Sequence, residues 1–125
     1  MDRVFLIVGS LSGGLAVALG AFGAHGLRSR LAADALATFE TGVRYQMYHA
    51  LALLLVALIA ARWSESSLPA LAGWLFVAGT VLFSGSLYLL SLAGLRWMGA
   101  VAPLGGAAFI LGWLALALAA WRTVV

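Results

Sequence analysis

The chain has 125 residues, 65% hydrophobic and only 9% charged, with a formal net charge of +3 and no cysteine. A soluble domain is about half apolar and about a quarter charged, so the composition excludes an ordinary globular domain and indicates a single membrane-embedded domain over 1–125. Lack of cysteine excludes disulfides and thiolate chemistry, and the scattered arginines form no basic stripe of the kind a nucleic-acid binder needs.

The first uncharged run, Val4–Leu27, is about 24 residues long, longer than the apolar region of a secretory signal, and reads as a retained anchor. Further runs place spans near 4–24, 46–62, 70–92 and 98–120. Between the first two, residues 32–45 show helical amphipathicity. Leu36, Phe39, Val43 and Met47 share one side, and Glu40, Thr41, Arg44 and Tyr48 the other, with Tyr45 and His49 further round. This segment is expected to lie in the interface or lean on the bundle.

The linkers Arg62–Pro69 and Ala93–Arg96 are short, which makes consecutive helices antiparallel neighbours. The expected fold is therefore all-α: a polytopic four-transmembrane-helix up-down bundle with an amphipathic interfacial helix between spans 1 and 2. The tryptophans fall mostly near span ends, at headgroup level. Arg3, Arg62 and Arg122 lie on one side and Arg28, Arg30, Arg44 and Arg96 on the other, so the positive-inside rule gives no orientation.

Small residues let helix backbones approach in lipid. In span one these are Ser12, Ala16, Gly20 and Ala24, with Gly9 and Gly13. Span three offers Ser84, Gly85 and Ser86, and span four Gly105 and Gly106 after Pro103. Their expected use is packing within the chain, with self-association as the rival.

The segment Phe39–His49 holds most of the chemistry. Glu40, Arg44, Tyr45, Gln46, Tyr48 and His49 fall within it, and ionisable groups at such a depth mark a site by default. Glu40 and Arg44, spaced i, i+4, suit an ion pair; ligand or proton handling is the alternative. His49 suits a hydrogen bond to a neighbouring helix, and His25, flanked by glycines, is conjectured to approach His49 or Glu40. No catalytic motif or metal-ligand spacing appears, and no cofactor is expected.

Four stretches, Gly20–Leu27, Phe39–Ala50, Phe83–Leu90 and Ala102–Trp113, resemble the family known as domain of unknown function 423, the YgdD-like small inner-membrane proteins. The resemblance covers essentially the whole chain, and Arg44-Tyr45-Gln46-x-Tyr48-His49 is its most specific part. It implies a multi-helix, multi-pass protein of the bacterial inner (plasma) membrane and brings no established activity. Ala32-Ala33-Asp34 departs from the Ser-Pro-acidic helix start of relatives.

Three functions stay open on these residues. The first is non-enzymatic binding of a lipid or a partner, including a second copy in a homo-oligomer, through Glu40–His49. The others are a small-molecule or proton-coupled transporter and a membrane enzyme acting on a lipid or quinone.

Overall fold

Backbone polar groups in hydrocarbon must bond within their own segment, and the apolar runs of this chain do so as helices. The computed structural model describes the backbone of residues 2–124 and the side chains of residues 3–123. The elements are α1 (Asp2–His25), α2 (Ala33–Arg62), α3 (Leu68–Gly79), a π-helical turn (Thr80–Ser84), α4 (Gly85–Ala93) and α5 (Met98–Val124). The segment from α3 through the π turn to α4 is one continuous span, and four helices are long and apolar enough to cross a membrane. The helical, four-span architecture agrees with the sequence reading.

The helix ends have local causes. The Gly26 and Leu27 amides both donate to the Phe22 carbonyl as α1 ends. Pro69 sits in the first turn of α3, where a missing N–H costs nothing, and the Leu68 amide donates to Ser66 Oγ at 3.2 Å. Gly94 closes α4 at φ 68°, a left-handed cap that a side chain would disfavour.

The amphipathic segment 32–45 is not a separate helix. It forms the N-terminal half of α2, a continuous helix of 30 residues. At 1.5 Å per residue α2 is about 45 Å long against a hydrocarbon core of about 30 Å. The helix is therefore about 15 Å, roughly ten residues, longer than the apolar layer, and its N-terminal turns still pack on α1, with Phe39 against Gly23.

The α1–α2 contact follows a 3–4 alternation. Phe5, Gly9, Ala16, Gly23 and Leu27 are buried, Gly13 faces Ala50, and Gly20 faces Val43. A Cβ on Gly9 would lie 2.9 Å from the Ala50 carbonyl oxygen, so the two backbones touch there. The constant four-residue stripe drawn from sequence drifts off this seam: Ala24 is exposed, and Gly23 receives the Phe39 ring instead. A seam held in contact along a partner needs a period near 3.5.

Spans are neighbours in chain order, one on two, two on three, three on four, and the first and last do not pack along their lengths. The apolar core of Phe5, Leu53, Val56, Ala72 and Ala115 lies on the Arg62 side of His49, and Phe76 and Phe109 continue it up to the imidazole ring. On the other side of His49, polar groups take over.

The π turn meets Gly105 of α5. A Cβ at Gly105 would sit 2.3 Å from the Phe83 amide nitrogen and 2.7 Å from its Cα. The widened turn of span three therefore presses its backbone onto the glycine. Among the other expected packing residues, Ser84 and Ser86 are buried, Gly85 has open space around it, and Gly106 only grazes the Phe83 ring at 4.0 Å.

Candidate functional site

Gly42, Gln46 and His49 recur at 3.5-residue spacing on the buried face of α2. From this face hydrogen bonds reach all three other spans. Gln46 Nε2 donates to the Ser12 carbonyl of α1 at 2.9 Å. Its Oε1 accepts the Tyr88 hydroxyl of α4 at 2.5 Å. Ser84 Oγ donates to the Gly42 carbonyl at 2.7 Å, a bond possible because Gly42 has no side chain where Tyr88 and Leu87 approach.

Trp113 of α5 donates its indole N–H to His49 Nε2 at 3.0 Å. The other ring nitrogen, Nδ1, lies 2.8 Å from the Tyr45 carbonyl. An acceptor at Nε2 and a carbonyl beside Nδ1 define the neutral imidazole with its proton on Nδ1. The ring stacks on Phe109 at 3.6 Å between centroids and 6° between planes, and Phe76 flanks it at 5.2 Å. No buried side-chain nitrogen or oxygen among the described residues lacks a partner. The inner face is a closed polar seam.

The outer residues behave differently. Glu40 and Arg44 are exposed, Tyr48 is half exposed, and Tyr45 is 38% exposed while packing on Phe83. Tyr48 meets Tyr45 edge-on, ring centroids 5.6 Å apart. The sequence suggested a Glu40–Arg44 ion pair within this segment. The interhelical bonds run instead through Gln46, Ser84, Tyr88, His49 and Trp113, and the two charged groups remain outside them. Water or headgroups at the helix surface solvate these charges, whereas the interior offers them no partner.

His25 is exposed at the end of α1. Gly23 packs against Phe39, which places His25 about ten residues, or roughly 15 Å, along α2 from His49. The approach of His25 to His49 conjectured from sequence does not occur. Among the described residues every charged side chain is exposed, and no cluster of three or more His, Cys, Asp or Glu is arranged to hold a metal.

Sequence reasoning missed Tyr88, Trp113 and Phe109 as partners of α2. Trp113 is an exception to the pattern of tryptophans near span ends and sits in the middle of α5. Its motif, Gly112-Trp113, carried a signal: Gly112 receives the Phe76 ring and leaves the indole room to turn toward His49.

Fold and seam together define a multi-pass, four-span α-helical membrane protein tied internally by polar groups. The family model described as "Protein of unknown function (DUF423)" matches residues 19–106. The chain is 50% identical over 118 residues to the UPF0382 membrane protein YwdK of Bacillus subtilis, covering 94% of this chain and 96% of that one. A UPF0382 membrane protein of Staphylococcus epidermidis is 47% identical over 117 residues, covering 94% of each chain. One of Haemophilus influenzae is 42% identical over 123 residues, covering 98% of each. The protein belongs to the DUF423 family. No solved structure matches it.

Proposed function

We propose that this protein is a non-enzymatic, partner-binding protein of the bacterial inner membrane, and that the outer face of α2 is its recognition surface. The observation that carries the reading is the division of Glu40–His49. Gln46 and His49 are consumed by internal bonds, whereas Glu40, Arg44 and Tyr48 form an exposed line on the outer face of the helix. Tyr and Arg are the side chains that dominate interface energetics.

A second copy of the chain matches this face. Glu40 and Arg44 differ by one turn and have opposite sign, so in a two-fold pair each carboxylate meets the partner's guanidinium, the self-complementarity an isologous contact requires. The experiment is native mass spectrometry of the purified protein, with charge-reversed variants at both positions. A lipid headgroup is the second reading, favoured by two exposed phenols, Tyr45 and Tyr48, beside Arg44, and the same spectra report any lipid retained.

Transport and acid–base chemistry gain less support. Both ring nitrogens of His49 are engaged, and no described charged side chain lies in the interior. An ion path is normally built on such interior groups.

A further inference from the structure

At the opposite membrane face from Glu40, the ends of three helices enclose a cleft of about 650 Å³. Arg62 comes from the last turn of α2, Arg122 from the last turn of α5, Glu65 and Ser67 from the linker into α3, and Leu68 from the start of α3. A smaller groove of about 310 Å³ shares the final turns of α2. It is lined by Leu6, Ala57, Leu58 and Ala61, with Arg3 among its lining residues. One space is polar with two guanidinium groups and one carboxylate; the other is a short trough between α1 and α2.

We propose that this cleft binds the headgroup of a glycerophospholipid carrying both a phosphate and a primary ammonium, with Arg62 and Arg122 taking the phosphate and Glu65 the ammonium. Guanidinium groups match phosphate oxygens in planar, paired hydrogen bonds. A purely anionic headgroup leaves Glu65 facing like charge, and a quaternary ammonium offers it no N–H to accept. A headgroup of both signs satisfies all three residues. The cleft lies at the ends of membrane-spanning helices, where a bilayer presents lipid headgroups at high local concentration, an advantage a soluble phosphate compound lacks. The site is independent of the outer face of α2, at the other end of the same helix.

The test uses delipidated full-length protein in detergent, titrated with phosphatidylethanolamine, phosphatidylglycerol and phosphatidylcholine, and read by native mass spectrometry. The expected order has the ethanolamine lipid first. Arg62→Gln/Arg122→Gln lowers its retention on the order of tenfold, the scale of a lost charge-assisted contact, and Arg96→Gln, at an exposed arginine of the opposite membrane face, leaves retention unchanged. Glu65→Gln removes the preference for ethanolamine over glycerol headgroups. Melting curves confirm folding of each variant, and the single Arg62→Gln substitution carries the test if the double variant does not fold. The proposal is overturned by unchanged retention in the arginine variants or by an unchanged headgroup order in Glu65→Gln. Displacement of the lipid by inorganic phosphate at equal concentration assigns the cleft to soluble phosphate and also overturns it.

Discussion

Trp113 donates to His49 across 3.0 Å and thereby joins spans two and four, whose backbones are otherwise held apart by span three. The bond depends on His49 presenting a bare Nε2, and that in turn depends on the Tyr45 carbonyl holding the proton at Nδ1. The imidazole is a structural connector with both nitrogens committed.

Trp113→Phe keeps an aromatic ring and removes the donor, leaving Nε2 buried and unpaired. Interhelical hydrogen bonds in membranes average about 0.6 kcal/mol and reach about 1.7, and an orphaned acceptor adds its desolvation penalty. A loss of about 1–2 kcal/mol is expected in detergent unfolding. The double variant His49→Phe/Trp113→Phe should recover part of it, since neither partner is then stranded. Additive losses would show that the bond contributes nothing.

Gly105 and Gly106 are adjacent but should respond in opposite ways. A methyl at Gly105 meets the Phe83 amide nitrogen at 2.3 Å, and backbone cannot rotate aside. Gly105→Ala should therefore cost about 1–3 kcal/mol, the range for an overpacked site, or collapse the π turn. Gly106→Ala meets only the Phe83 ring at 4.0 Å and should change the melting temperature little. Thermal melts of the two variants side by side give the answer.

Gln46 links span one to span three through a single amide. Tyr88→Phe leaves the Ser12 bond in place and should cost about 0.5–1.5 kcal/mol. Gln46→Leu severs both links and should cost more, though a satisfied apolar replacement limits the damage. Equal effects in the two variants would contradict the linked chain of bonds from Ser12 to Tyr88.

The sequence made the four spans legible because their uncharged runs match the bilayer thickness, and it located the polar segment because six polar side chains interrupt an apolar chain. The helical wheel also separated Glu40 and Arg44 from the packing side correctly. It failed on who meets whom. Tyr88 and Trp113 lie 42 and 64 residues from their partners, and no local period reports contacts at that range. The assumed ion pair illustrates the same limit: i, i+4 spacing makes a pair possible, but the exposure of Glu40 and Arg44 leaves them free to face outward. The continuity of α2 is not legible in the sequence, because Gly42 suits a bend and a straight helix alike. In the structure it is a point of close approach for Tyr88, not a break.

The central claim is that α2 has an inner face that holds the protein together and an outer face that recognises another copy. Oligomeric state in native mass spectra, compared across Glu40→Arg, Arg44→Glu and the double reversal, tests it most directly. The account predicts a dimer for the wild type, monomer in each single reversal, and a restored dimer in the double, with all three variants melting within about 0.5 kcal/mol of wild type because exposed charges contribute little to folding. A wild-type monomer, or a dimer indifferent to all three substitutions, would contradict it.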